Sequence, residues 1–222
     1  MLILTHIMKV RRVVVAMALA LTLAGSLGSA GASLAGDGDD ESLAVPGSDH
    51  KYPVKIERDI GGKTTTLVIT GAGQRTKTLF KVYTVGSYVQ QGVAIKDAAE
   101  LATQDCAKQL HIIMQRDVDG STMAEALIDG IGLNYADEQF AEEKKALAKF
   151  MADTRLKKGN EVWLTHLPGV GVHFRMPGEH ETLIKDVPFS VAIWKIYLGS
   201  KNVSEDVKKG ITARLPIAAA TP

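Results

Sequence analysis

The sequence predicts an α+β fold, an antiparallel sheet with helices on one face. Three observations carry this. Strand-like alternation fills both flanks of the folded region, about 54–89 and 161–185. The middle, about 122–151, has helical spacing. Two glycine turns, Gly61-Gly62 and Pro168-Gly169-Val170-Gly171, join neighbouring strands directly.

The elements follow in order. Val54, Ile56 and Arg58 alternate with Lys55 and Glu57, and Gly61-Gly62 turns the chain into Thr64–Ile69 as a hairpin. Gly71-Ala72-Gly73-Gln74-Arg75 is read as a bend, followed by a long strand over Leu79–Val89. A helix at Lys96–Thr103 leads into a strand at Leu110–Met114. Thr122 with Glu125 is a capping box, and Met123, Leu127 and Ile131 share one helical face. Asn134 with Asp137 repeats the start signal for a longer helix with Phe140, Leu147 and Met151 as its stripe. The hairpin Glu161–His166/Val172–Met176 and a short strand at Leu183–Lys185 come next. A helix over Pro188–Leu198 is stopped by Gly199, and a last helix spans about Glu205–Arg214.

The N-terminus has a different character. Lys9, Arg11 and Arg12 precede an apolar run, Val13–Leu23, and Ala30-Gly31-Ala32 supplies small residues for cleavage. Residues 1–32 are therefore expected to be a signal peptide, with retention as an anchor and a start at Met8 as alternatives. Residues 33–50, acidic and rich in Gly and Ser, are expected to be a flexible leader before a single domain at 51–218. The expected location is periplasmic or secreted, with membrane contact only through the signal segment. Removing 1–32 leaves 23 basic against 25 acidic side chains, a formal charge of −2. That balance gives no electrostatic case for nucleic acid. Cys106 is the single cysteine, so no internal disulfide forms, and it reads as a small buried hydrophobe.

Several chemistries are excluded by counting. A dinucleotide fingerprint opening at Gly71 meets Thr76 where its third glycine belongs. Gly62-Lys63-Thr64 resembles the end of a P-loop, but Glu57 occupies the first glycine position. His166, His173 and His180 lie seven apart, a spacing that sends strand residues to opposite faces, so no metal is expected. No nucleophile elbow supports a hydrolase, and no cofactor is expected. Arg75 remains. Its guanidinium fork suits a carboxylate or enolate oxygen, and the neighbouring glycines let a ligand approach. It reads equally well as a prop, paired internally with Asp117 or Asp119.

The segment GAGQRTKTLFKVYTVGSYV, with the closing run VPFSVAIWKIYLGSKNVSEDVKKGITARL, resembles the chalcone isomerase superfamily. RDVDGSTMAEALIDGI and WLTHLPGVGVHF are similar to its bacterial chalcone isomerase-like branch, and the resemblance covers about 52–215. It implies an open-faced β-sandwich with a ligand cleft between sheet and helices. It also implies that Arg75 is the arginine that stabilises a phenolate and a developing enolate. The family's other polar positions fall on Tyr83, Met123, Gly130 and Ile196, so one is kept, one becomes another hydroxyl, and three become apolar or glycine. A polyphenol would leave hydroxyls unpaired in such a cleft. The expectation is therefore a non-catalytic protein that binds a small amphipathic, fatty-acid-like carboxylate, with Arg75 and Tyr83 at the anion and Met123 and Ile196 along the ligand. The alternatives are an intramolecular lyase of chalcone–flavanone type, using Arg75 and Tyr83 on a polyphenol, and an interaction protein with an empty cleft.

Overall fold

The computed structural model describes residues 41–218; the expected signal peptide and residues 33–40 of the expected leader lie outside them. A seven-stranded antiparallel sheet dominates. Its strands are β3 (Lys55–Ile60), β4 (Lys63–Lys77), β5 (Phe80–Gln90), β6 (Lys108–Met114), β9 (Glu161–Leu167), β10 (Gly171–Met176) and β11 (His180–Ile184), in the order β11-β10-β9-β6-β5-β4-β3. Two small ribbons accompany it, β1 (Ser42–Ala44) with β2 (Lys51–Pro53), and β7 (Val118–Asp119) with β8 (Arg155–Leu156). The helices are α1 (Ala98–Thr103), α2 (Gly120–Gly132), α3 (Ala141–Met151), α4 (Val187–Leu198) and α5 (Glu205–Ile211).

Strand alternation sorts the side chains onto two faces. Tyr83, Val85 and Val89 of β5 join the main core under the helices, whereas Tyr88 belongs to a smaller cluster with Tyr52, Leu67 and Ile69. Helices on one face and a single ribbon on the other give the expected α+β, open-faced arrangement. The ribbon docks closely because position 86 is glycine. A Cβ there would sit 2.6 Å from the Tyr52 ring. Residues 41–50, expected to be flexible, contain β1 and the buried Val45, so the ordered chain starts before residue 51.

The expected bend at Gly71–Arg75 is absent. β4 runs unbroken through it, with irregular pairing between Ile69 and Gly71 and again between Arg75 and Thr76. The glycines serve a helix instead. A Cβ on Gly71 would lie 2.2 Å from Gly210 O, and one on Gly210 would lie 2.6 Å from Ala72 O. α5 therefore rests directly on the strand backbone, and Thr70 Oγ1 donates to Ile211 O at 2.7 Å. Glycine repeats that admit a ligand and glycine repeats that admit a helix look the same in sequence.

Helix starts also differ. α2 begins at Gly120 rather than Thr122, because Gly120 N donates to Thr154 O at 2.7 Å and a Cβ there would meet Met151 O. The expected capping box thus lies inside the helix. Asn134 and Asp137 do not start α3, which follows Phe140 in a left-handed conformation. Asn134 Nδ2 instead donates to Lys201 O at 2.7 Å, tying α2 to the segment after α4. α4 is capped by Asp186 and buried almost all round, as expected of a central helix. α5 stops at Ile211, short of the expected Arg214.

Candidate functional site

A cavity of about 590 Å³ opens where the β4–β5 hairpin, the start of α2 and the end of α4 meet. That volume is in the usual range for a small-molecule site. The elements explain its composition. β4 and β5 bring Arg75 and Tyr83 side by side as register partners, α2 contributes Met123, Leu127 and Gly130, and α4 contributes Ile196 and Tyr197. All four of the expected site residues, Arg75, Tyr83, Met123 and Ile196, therefore line one space.

Arg75 is half-buried, and its Nη1 donates to Thr76 O at 2.8 Å. The internal pairing with Asp117 or Asp119 does not form. Each of those carboxylates lies 3.9 Å from Arg155 instead, and no other carboxylate among the described residues pairs with Arg75. Tyr83 is buried, and its hydroxyl lies 3.2 Å from that of Tyr197. Burial pushes both phenols above their ordinary range, against the pull of the Arg75 charge. Both are thus neutral and carry a proton each. A single hydrogen bond between them uses one proton. The other has no acceptor among the described residues, so the pair presents a spare donor at the cavity wall.

The helices add apolar side chains to the lining, beside the polar Asp119, Thr122 and Asp129. Met123 is 4% exposed and Ile196 1% exposed, so both are core side chains with one edge on the cavity. Gly130 and Ile196 account for each other. A Cβ at 130 would stand 2.7 Å from Ile196 Cγ2, so glycine on α2 makes room for the branched side chain on α4. Two positions at which the resemblance implies polar groups are thus occupied by one helix–helix contact.

Tyr197 was not among the site residues expected from sequence. The available signal was chemical. Tyr197 is the one hydroxyl-bearing aromatic on a largely apolar helix, and a buried phenol needs a partner. The three histidines do not converge. His173 Nε2 lies 3.3 Å from Glu181, and His180 Nε2 lies 2.7 Å from Phe150 O. His166 joins a constellation the sequence did not reveal, with Ser190 Oγ 2.7 Å from Nδ1 and Asp105 Oδ1 2.8 Å from Nε2. Ser190 and His166 are both fully buried under α4 and do not line the cavity, so this is no accessible nucleophile. Among the described residues no group of His, Cys, Asp and Glu could hold a metal ion.

The architecture that frames this cavity is shared with a solved fatty-acid binding protein of Arabidopsis thaliana. The two are 16% identical with a TM-score of 0.62, over 78% of this chain and 96% of that one. At that identity the likeness is one of fold. No curated protein matches the chain. The sequence model of the family described as chalcone isomerase-like, however, matches residues 50–212, a stretch that takes in the whole main sheet, Arg75, Tyr83 and the α2–α4 wall. By that match the chain belongs to the chalcone isomerase-like family.

Proposed function

We propose that the protein binds a small amphipathic carboxylate of fatty-acid type, without catalysing its conversion, after export to the periplasm or beyond. The observation that carries this is that one cavity combines a cation and a hydroxyl donor with apolar side chains. Arg75 and the spare phenol proton of Tyr83–Tyr197 line the same space as the apolar Met123, Leu127 and Ile196. A carboxylate takes donors from a guanidinium and a hydroxyl together, and hydrogen bonds to a charged group contribute about 1.5–3 kcal/mol each. An acyl chain asks nothing of the apolar wall but burial. The neighbour named for fatty-acid binding supports the same class of ligand.

Native mass spectrometry of the purified protein tests this. A fatty acid adduct is expected on the wild type and absent from Arg75→Ala, and retention of the same adduct by that variant overturns the reading. A second reading, an intramolecular lyase of chalcone–flavanone type, rests on the retained Arg75 beside a hydroxyl at position 83. It requires flavanone formation above the spontaneous rate, lost in Arg75→Ala.

A further inference from the structure

The tip of the β4–β5 hairpin is the least buried apolar feature of the described residues. Leu79 is 87% exposed and Phe80 62%, whereas the other exposed large hydrophobics reach only 37–39%. Scattered single exposures are ordinary, but two consecutive large side chains at a turn are not. The turn holds them out. Thr78 takes a left-handed φ of 59°, which ends β4 and leaves Leu79 in the turn, with Phe80 as the first residue of β5.

Cations surround this tip. Arg75 and Lys77 lie below it on β4, and Lys81 follows it on β5 with its Nζ on Gly47 O. Arg116, from the segment after β6, places its Cζ 5.3 Å from the Phe80 ring centre. The nearby Asp117 and Asp119 share the single cation Arg155, so one negative charge stands against the four cations of the collar. An apolar point inside a basic collar matches the boundary of an anionic bilayer, where acyl chains begin and headgroups carry negative charge. It matches a protein partner poorly. A stable protein interface takes about 20–30 residues a side, and this feature is a projecting turn.

We propose that the hairpin tip docks the protein onto an anionic lipid surface, with Leu79 and Phe80 entering the headgroup boundary. Lys77, Thr78, Phe80 and Arg116 also border the cavity, so docking turns its mouth toward the bilayer. The docking rests on the hairpin itself; transfer of a ligand between bilayer and cavity rests on the binding reading above. The formal −2 expected after cleavage gives no general attraction to such a surface, so the collar acts only at close range and is screened by salt.

Vesicle flotation tests this with wild type and Leu79→Asp prepared with the same N-terminus. Leu79 does not line the cavity, so the variant leaves the binding site intact. Wild type is expected to float with vesicles of 3:1 phosphatidylcholine to phosphatidylglycerol, less so in high salt, and little with phosphatidylcholine alone. Leu79→Asp is expected to bind the anionic vesicles at least about tenfold more weakly, while taking up dodecanoate from solution as wild type does. Equal flotation of the two proteins overturns the proposal, as does wild type that ignores anionic vesicles. So does a wild-type dimer that Leu79→Asp converts to monomer, since that makes the tip a protein interface. Flotation as expected with no dodecanoate uptake by either protein supports the docking and removes the binding reading alone.

Discussion

Helix α4 carries one residue of each of two buried polar clusters, and they behave in opposite ways. Near its start, Ser190 meets His166, which in turn holds Asp105. Lys108, the register partner of His166, lies beside them and donates from Nζ to the carbonyls of Leu101, Ala102 and Gln104 at 2.8–2.9 Å. Seven residues on, about 10 Å along the axis, Tyr197 meets Tyr83 above Arg75. The first cluster is closed: the donors of Lys108 are all engaged, and Ser190 does not line the cavity that holds Arg75. The second is open, with a proton unspent and a guanidinium that no described carboxylate answers. A buried polar group that is fully satisfied by its own chain holds the fold together. One left short of partners at a cavity wall is ready for something from outside. The difference separates two sets of residues that sequence alone presents as the same kind, polar letters among apolar ones.

The largest effect should come from breaking the closed cluster. Burial pulls the Lys108 ammonium down to about 8, so it is still charged at neutral pH and caps the end of α1 with three hydrogen bonds. Lys108→Met strands those carbonyls and should cost about 3 kcal/mol, a fall in melting temperature of about 6–12 °C for a domain of this size. Arg75→Met should change it by no more than about 2 °C. Calorimetry on the two variants decides. If Arg75→Met melts as early as Lys108→Met, Arg75 is a prop after all and the open cluster is not open.

A sharper test divides the two phenols. In Tyr83→Phe or Tyr197→Phe alone, the surviving hydroxyl is released from its neighbour and keeps a proton for the ligand, so fatty acid affinity should barely move. The double variant has none, and should bind at least about tenfold more weakly, about 1.5 kcal/mol or more. The coupling term of the double-mutant cycle is then positive. Additive losses would show that the two hydroxyls do not share one spare donor.

Much of this molecule was legible before its structure. Alternation gave β3, β5, β9 and β10, and Gly61-Gly62, both with positive φ, made the hairpin turn that the pair predicts. Arg75 stood out as an arginine at a glycine-rich segment between two strand-like runs, where its guanidinium fork calls for an anion. What escaped notice depended on tertiary approach. Gly71 and Gly73 are glycines because α5 lies on them, and nothing local records a helix arriving from residue 205 onward. Gly120 likewise begins a helix two residues before its apparent cap, because Thr154 O waits for its N–H. Tyr197 and the His166 constellation needed the sheet to bring residues more than twenty positions apart into hydrogen-bond range. Neighbours along the chain set periodicity and turns; which buried polar groups find each other is set by the packing.

The smallest effect, in pH, tests whether the clusters are independent although α4 joins them. Burial lowers His166 below its ordinary value, against the pull of the Asp105 hydrogen bond, and burial lowers His111 in the same way against Glu161. The folded state therefore favours neutral imidazoles. Stability from these groups is complete above about 6.5 and is lost as pH falls from there toward the folded values, because the unfolded chain then binds more protons. Asp105, held low chiefly by its hydrogen bond to His166, makes its own contribution above the usual carboxylate range and loses it only in stronger acid. Melting temperature should thus rise with pH above about 7, where the lowered Lys108 begins to lose a proton that the unfolded lysine keeps. Between about 7 and 6.5 it should stay level, and toward pH 5 it should decline; His166→Gln should decline less there, keeping only the share of His111. Ligand affinity should stay level over the same window. An arginine carries its charge throughout, and both phenols are raised away from neutrality. If affinity instead falls in step with stability, protonation at one end of α4 is felt at the other, and the two clusters form one device.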